Sequence, residues 1–443
     1  MPEEITRSNI SRIRNPVFRG YAGMYLDIYE DFLGQVSSFG LPFDTASSLE
    51  AQIQGERAAL KTMSEVTARS EDASFVYRRI SSACEACRQG INTLTSHISF
   101  RCHRSCFFCF NPNQENYEGH LAQKNDWLAE LKAYHSAGQG LTHIALTGGE
   151  PLLHPEEAAA FFRTARELYP ESHLRLYTSG DLLNELLLAE LRDAGLDEIR
   201  FSCKMEDTPE MRNKVLDRIS LAKAYLPCVM VEMPVMPDRE MQMRDLLLRL
   251  DEIGIWGINL LELCFPYHNA QAFRTRGFFL RYPPYRILYN FWYAGGLPVA
   301  GSELIALRLV RFAAEKGLSL GLHYCSLENK NFGQMYQQNH HPGLIHPTLF
   351  FSERDYYLKT VKAFGTDAAL VKRIFDKHRN NRYLYQAQAG YIQIHPQDVS
   401  LLQGRNVELA LSINVLEERE GERVTRELKL LRVTPCDCDP QML

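Results

Sequence analysis

The sequence predicts an α/β fold: an incomplete parallel barrel of the TIM type, (β/α)6-7, at residues 84–330, with a helical N-terminal extension at 1–83 and a small α+β appendage at 331–443. Three observations carry that expectation. From about residue 92, short apolar runs alternate with amphipathic segments, the pattern of a parallel sheet covered by helices. The expected strand ends are dense in reactive and polar residues, as the carboxyl edge of such a barrel is. After Cys325 the alternation stops and the texture changes.

Taken in order, residues 1–80 read as mostly helical. Ser48–Val66 is rich in Ala, Leu, Glu, Gln and Lys, which favour helix, while Asn15-Pro16, Gly34 and Gly40-Leu-Pro42 interrupt. Thr93–Phe100 is expected as the first barrel strand, running into Cys102. Asp126–His135 follows as a helix with Trp127, Leu128, Leu131 and Tyr134 on one face. Thr142–Leu146 is expected as a strand ending in Thr147-Gly148-Gly149-Glu150-Pro151, and Pro155–Tyr169 as a helix with proline at its start. Strands are then expected at Leu174–Tyr177, Glu198–Ser202, Val229–Met233 and Gly257–Leu263. Helices at Asp181–Ala194, Arg212–Tyr225 and Glu240–Ile253 separate them, with Gly195 and Gly254 as stops. Ser302 is read as the N-cap of a helix to Lys316, and Leu318–Tyr324 as the last strand, treated throughout as continuous apolar runs. In the appendage, Ser352–His378 is expected as helix and Tyr391–His395, Val407–Leu416 and Arg423–Val433 as strands, the last two forming a hairpin across Glu417–Glu422.

Composition limits the function classes. A chain of 443 residues with 45% hydrophobic residues can bury a large core. The net charge of −5 announces no strongly basic surface for nucleic acid, although a charge average leaves room for a local patch. No apolar run is long enough to span a bilayer, and MPEEITRSNISRIRNP lacks a signal core. The expectation is a cytoplasmic protein without membrane contact. Eleven cysteines, an odd number in a long chain, point to metal ligation or reactive thiols rather than to a disulfide scaffold.

The chemistry concentrates in Cys102-His-Arg-Ser-Cys106-Phe-Phe108-Cys109. Three thiolates from one loop can ligate three irons of a four-iron cluster and leave the fourth open. Unrelated loop cysteines or part of a zinc site are the alternatives, although zinc motifs normally pair one C-x2-C with a second pair. The C-x3-C-x2-C spacing after a first strand, followed one βα unit later by Gly148-Gly149-Glu150-Pro151, resembles the radical S-adenosylmethionine (radical SAM) superfamily. That resemblance implies a 4Fe-4S cluster on Cys102, Cys106 and Cys109. It implies S-adenosylmethionine, with Phe108 near its adenine and Gly148, Gly149, Glu150 and Pro151 at its methionine amino group. Thr178, Ser179, Ser202 and Lys204 end later strands and would, by the same resemblance, meet the ribose and the methionine carboxylate; each can equally be a cap or a solvated loop residue. Glu262 is assigned to cosubstrate or substrate, against a salt-bridged structural role.

The other cysteines divide. Cys84 and Cys87, with Cys436 and Cys438, supply four thiolates for zinc or a second cluster. Cys325, in His323-Tyr324-Cys325-Ser326 at the end of the last strand, is read as the catalytic candidate: a hydrogen-atom donor, a ligand of a second metal or a substrate contact, against a buried apolar role. The short linker to strand one places Cys84 and Cys87 at the opposite end from Cys325, unless that linker folds back. Cys203, Cys228 and Cys264 are read as packing. The connection from Phe265 to Ser302 carries many aromatics, read as a substrate channel or, for Tyr285–Tyr293, as the core of an inserted helix.

From Cys84 to Lys330 the chain is similar to a radical SAM group related to pyruvate formate-lyase activating enzymes. The carriers include Cys84-x2-Cys87-x2-Gly90, the triplet, Thr147–Leu152, His173–Thr178, Gly195–Phe201, Val231–Pro234, Asn259–Glu262, Gly301–Glu303 and His323–Ser326. The resemblance implies reductive cleavage of S-adenosylmethionine to a 5′-deoxyadenosyl radical that takes hydrogen from a small molecule or peptide, with a low-potential ferredoxin or flavodoxin as reductant. A glycyl-radical activase, transfer of a 3-amino-3-carboxypropyl group and a non-catalytic iron–sulfur electron carrier are the alternatives.

Overall fold

The computed structural model describes residues 2–45, 48–289, 295–341, 343 and 346–438. The chain divides into two compact units: residues 41–284 with 291–333, and residues 1–40 with 285–290 and 334–443. The expected 1–83 extension is therefore split. Its first helix, Pro16–Ser38, packs in the second of these units, whereas Ser48–Lys61 and two strands, Val66–Arg69 and Ser74–Tyr77, belong to the first.

The larger unit is the incomplete barrel. Its strands are β1 (Thr93–His97), β2 (His143–Thr147), β3 (His173–Thr178), β4 (Glu198–Phe201), β5 (Cys228–Val235), β6 (Gly257–Glu262) and β7 (Gly321–Cys325). They pair in parallel in chain order, and the antiparallel strands Ser74–Tyr77 and Val66–Arg69 extend the sheet beyond β7. The crossover helices are α1 (Trp127–Ser136), α2 (Pro155–Leu168), α3 (Glu185–Asp193), α4 (Pro209–Ala222), α5 (Glu240–Ile253) and α6 (Ser302–Lys316).

Local chemistry explains these boundaries. Side chains of Asp126, Asn184 and Thr208 accept from backbone N–H groups in the first turns of α1, α3 and α4. Gly254 and Gly317 close α5 and α6 with φ of 74° and 65°, a conformation that favours glycine. Ser302 departs from its expected capping role. It is the first residue of α6, after Gly301; its hydroxyl donates to Val235 O (2.9 Å) and accepts from Leu263 N (2.8 Å), tying the ends of β5 and β6 together.

The strands are also not the uniformly apolar runs expected. Leu174, Leu176, Ile199, Phe201, Val229, Val231, Ile258, Leu260, Leu322 and Tyr324 are buried. Between them stand His173, Arg175, Tyr177, Arg200, Glu232, Asn259 and His323, with period 2. One face of the sheet meets the helices; the other forms a polar lumen.

The smaller unit is an antiparallel sheet in the order Glu3–Glu4, Glu422–Val433, Leu409–Arg419, Leu358–Phe364, Tyr391–Ile394, Tyr383–Gln386, with Phe350–Phe351 beside Leu358–Phe364. The hairpin expected across Glu417–Glu422 forms. The helix expected over Ser352–His378 does not: Leu358–Phe364 is a fully buried strand, and helix begins only at Gly365. Tertiary burial overrides propensity there, because this strand lies between Leu409–Arg419 and Tyr391–Ile394. Helix Pro16–Ser38, capped by Asn15, lays Phe18, Ala22 and Leu26 against Phe364, Ala410 and Leu430, with Phe18 stacked on Phe364 at 4.7 Å.

Candidate active site

The cysteine loop leaves the end of β1. Cys102 is exposed and Cys106 and Cys109 are half-buried; all three thiols are free. Arg104 clamps the loop. Its Nε and Nη2 donate to Asp181 at 2.6 and 2.7 Å, its Nη1 donates to Asp207 at 3.1 Å, and His103 also contacts Asp181. Burial works against the Asp181 carboxylate, yet Arg104, His103 and Ser179 outweigh it and hold the group down to about 2. Burial pushes the Cys106 thiol up to about 12, opposed mainly by the nearby Lys204 ammonium. On the other flank, Asn269 Nδ2 donates to Phe107 O (3.2 Å), and Phe107 packs edge-on to Phe108 and Phe273.

The glycine turn after β2 lies against the chain entering this loop. Gly149 N donates to Ser99 O (3.0 Å) and Glu150 N to Arg101 O (2.8 Å). A Cβ on Gly149 would stand 2.0 Å from Arg101 O, and one on Gly148, at φ 109°, 2.7 Å from Ser99 O. Two glycines are needed because two backbones touch.

Glu150 is buried, and both its oxygens are engaged. Oε1 accepts from Leu152 N and the Thr178 hydroxyl; Oε2 accepts from the backbone and hydroxyl of Ser179. This differs from the expected roles. Thr178 and Ser179 hold Glu150, and the Glu150 carboxylate braces the rim between β2 and β3. Ser202 continues β4, its N–H donating to Thr178 O (2.9 Å), and Lys204 lies close enough to Cys106 and Cys109 for its charge to act on both.

Glu262 ends β6, and both its oxygens are engaged. Its side chain is buried; Oε1 meets Arg281 at 3.2 Å and Oε2 accepts from Leu327 N at 2.9 Å. Arg281 also binds Glu303 (2.6 Å), and Arg57 Nη2 donates to Glu303 at 2.5 Å. Three acids (Glu262, Glu303, Glu328) thus surround Arg281, and burial raises the Glu262 carboxyl to about 7. The expected cosubstrate contact is a structural ion network.

The expected four-cysteine set is divided between the units. Cys438 is 2% exposed, packed with Val361, Phe375 and Leu402 in the smaller unit, and Cys436 is exposed beside it. Cys84 and Cys87 belong to the barrel unit, on the helix Ser82–Cys87. They enter at the end of the barrel that the linker length suggested: Ser81 Oγ donates to Glu198 and Ser82 Oγ meets His143 Nε2 (3.2 Å), at the first residues of β4 and β2. From there the helix reaches inward, and Arg200 and Asn259, both on the lumen face, donate to Cys84 Sγ at 3.4 and 3.1 Å. Cys203 and Cys264 are buried, as expected of packing residues. In the aromatic connection, Tyr285–Tyr289 is not helical, and Phe291, Trp292 and Tyr293 lie outside the described residues.

Sequence reading missed the Arg104–Asp181–Asp207 clamp and the lumen network. For the clamp there was no local signal. For the lumen there was one, the strict alternation in His173-Leu-Arg-Leu-Tyr and Glu198-Ile-Arg-Phe. Among the described residues, no three Cys, His, Asp or Glu side chains converge on a single ion-sized point. Nor is any helix among them long and apolar enough to cross a membrane.

Residues 96–250 match the Radical SAM superfamily. A protein of Methanocaldococcus jannaschii, named provisionally as a glycyl-radical enzyme activating enzyme, is 28% identical over 270 residues, covering 58% of this chain and 66% of its own. The PqqA peptide cyclase of Gluconobacter oxydans is 34% identical over 110 residues, 25% of this chain and 29% of its own. The chain thus spans just under two thirds of one curated relative and under a third of the other. Among solved structures, Streptococcus suis SuiB bound to S-adenosylmethionine overlaps 55% of this chain and 52% of its own, with a TM-score of 0.39 at 12% identity. The residues that match the radical SAM superfamily thus lie in the incomplete parallel barrel, and the chain is similar to a relative named for glycyl-radical enzyme activation.

Proposed function

We propose that this protein is a radical SAM enzyme that takes a hydrogen atom from an organic substrate. In this reading Cys102, Cys106 and Cys109 hold a 4Fe-4S cluster, and S-adenosylmethionine lies along the rim from Gly148–Pro151 toward Ser202 and Lys204. The observation that carries it is the pair of backbone hydrogen bonds, Gly149 to Ser99 and Glu150 to Arg101, joining the glycine turn to the segment that enters Cys102. The donor set fits a cluster: three free thiols on one loop, and no ion-sized point of convergence. When bound, cluster and cosubstrate together supply the 5′-deoxyadenosyl radical.

The chain's own residues do the positioning. Arg104, held by Asp181 and Asp207, fixes the loop. Lys204 offsets negative charge at Cys106 and Cys109. Gly148 and Gly149 seat the turn against the segment that enters Cys102, where we place the ammonium, and Glu150, held by Thr178 and Ser179, keeps that turn in place. Phe108 offers a flat apolar surface for adenine. The polar lumen behind the rim is where we place the substrate.

The names of the relatives, an activating enzyme and a peptide cyclase, favour a peptide or protein substrate. The similarity to the Methanocaldococcus jannaschii protein specifically favours activation of a partner by a glycyl radical, which is the second reading. Reduction by a low-potential ferredoxin or flavodoxin completes the proposal. Reconstituted protein given S-adenosylmethionine and dithionite should release 5′-deoxyadenosine. Release of methylthioadenosine instead would point to aminocarboxypropyl transfer, and no fragment at all would leave an electron carrier.

A further inference from the structure

Three cysteines outside the triplet come together on the lumen side of the barrel, although they come from distant parts of the sequence. The helix Ser82–Cys87 carries Cys84 and Cys87, and the end of β7 carries Cys325. Helix Leu327–Asn339, which follows β7, presses on the first of these: a Cβ on Gly333 would stand 2.7 Å from Cys87 O. The Arg88 guanidinium lies over the Phe332 ring at 5.7 Å in the same contact. The thiols of Cys84 and Cys87 both lie near enough to Cys325 for their charges to act on it. Cys87 is exposed.

Hydrogen-bond donors face two of the three sulfurs. Cys84 Sγ accepts from Asn259 Nδ2 (3.1 Å) and Arg200 Nη2 (3.4 Å), and Cys325 Sγ accepts from Asn329 Nδ2 (3.2 Å). The orientation of Asn259 is fixed by its neighbours. His323 lies between Ser74 and Asn259. Ser74 meets its Nε2 at 3.0 Å and Asn259 Oδ1 meets its Nδ1 at 3.2 Å. The Asn259 amide nitrogen therefore faces Cys84 and, at 2.8 Å, Glu232. Lys330 acts on Cys87, Cys325 and Cys264, and Arg175 acts on Cys87. Arg175 Nε is buried and meets no hydrogen-bond partner. The carboxylates here, Glu198 and Glu232, are already taken by Arg200. The arrangement leaves a buried donor without an acceptor and three thiols ringed by cations and amide N–H groups.

We infer that Cys84, Cys87 and Cys325 are the protein ligands of a second iron–sulfur cluster, held in the barrel lumen. Thiolates bound to iron would take up the positive charge of Arg175, Arg200 and Lys330. Hydrogen bonds from Asn259, Asn329 and Arg200 to the ligand sulfurs are the contacts that tune such a cluster. Cys436 and Cys438 take no part.

The test does not depend on cleavage of S-adenosylmethionine. Protein with Cys102→Ala, Cys106→Ala and Cys109→Ala is reconstituted anaerobically with iron and sulfide, and iron, sulfide and zinc are counted per chain. About four irons are expected, with the absorbance and reduced-state electron paramagnetic resonance of a cubane cluster. Adding Cys84→Ser and Cys325→Ser should remove them, and adding Cys436→Ser should not. An iron-free but folded triple variant, by circular dichroism and gel filtration, would overturn the inference. So would zinc in place of iron, or iron that survives Cys84→Ser with Cys325→Ser. If the triple variant does not fold, the wild type decides: Cys325→Ser alone should lower iron from about eight to about four per chain, and an unchanged count refutes the site.

Discussion

The two cysteine sets of the barrel differ in how they are built. Cys102, Cys106 and Cys109 lie within one loop, so a single hairpin of chain brings three thiols together, and Arg104 with its two aspartates has only to hold that loop. Cys84, Cys87 and Cys325 come from distant segments, so the proposed lumen site needs the folded sheet, with β7 beside β6 and Asn259 donating to Cys84. The first set pays its ordering entropy locally; the second depends on the whole barrel. Damage to the loop should therefore remove chemistry and spare the fold, while damage to the lumen should cost stability as well.

The largest effect belongs to the loop. Cys106→Ala should bring 5′-deoxyadenosine formation down to background and remove the triplet's iron, with the thermal melt nearly unchanged, because the half-buried thiol is not part of the apolar core. Full cleavage by this variant would remove the distinction between the two sets. Product assay, iron count and melting curve on one preparation decide it.

The lumen should answer differently. Arg200 is buried between Glu198 and Glu232, with its Nη1 at 2.6 Å from Glu232. Burial disfavours the Glu198 carboxylate, but Arg200, His173 and Ser81 hold it well below the usual carboxylate range. Arg200→Met leaves that buried charge with weaker partners and should destabilise the barrel unit by about 3–5 kcal/mol. Urea denaturation measures this. A loss below about 1 kcal/mol would mean that the lumen is wet enough to solvate both acids.

The contrast also explains what the sequence disclosed. The loop set and the glycine turn were legible because each is contiguous and each residue type has a narrow chemical use. The parallel order of the strands was legible from alternating βα segments. The end of the barrel at which Ser82–Cys87 sits was legible from the short linker, but how far Cys84 reaches toward Arg200 and Asn259 was not. Glu262 was misplaced for a related reason. It ends a strand, as an active-site carboxylate would, but side chains alternate along β6. Asn259 and Leu261 share the lumen face, and Glu262 points toward Arg281. The run Leu358–Phe364 was taken for helix because its neighbours favour helix; its place between two other strands decides otherwise.

Between the two sets lies the brace that joins β2 to β3. Glu150→Gln replaces an acceptor by a donor. Leu152 N–H donates to one oxygen and Ser179 N–H to the other, so either orientation of the amide sets a donor against a donor. The cost should be about 1–3 kcal/mol, together with a raised KM for S-adenosylmethionine, because the turn at Gly148 and Gly149 loses its support. Ser179→Ala leaves the backbone donor in place and should cost less. An unchanged KM in Glu150→Gln would show that the brace is structural and does not position the turn.

The smallest effect concerns the clamp, and its sign is fixed by pH. Asp181 is held down to about 2, below the value near 3.9 of an unfolded aspartate. Its contribution to stability is therefore full above about pH 4 and fades as pH falls through 2. The side chain remains partly open to solvent, so screening limits that contribution to under about 1 kcal/mol. Asp181→Asn should lower the melting temperature slightly at neutral pH, and the gap from wild type should close on acidification. If the gap instead persists at the lowest pH where both fold, shape rather than charge would hold Arg104. The slower effect should appear in cluster assembly. With Arg104 left only to Asp207, the loop samples more conformations, so anaerobic iron uptake at the triplet should slow, while uptake in the lumen keeps its wild-type rate.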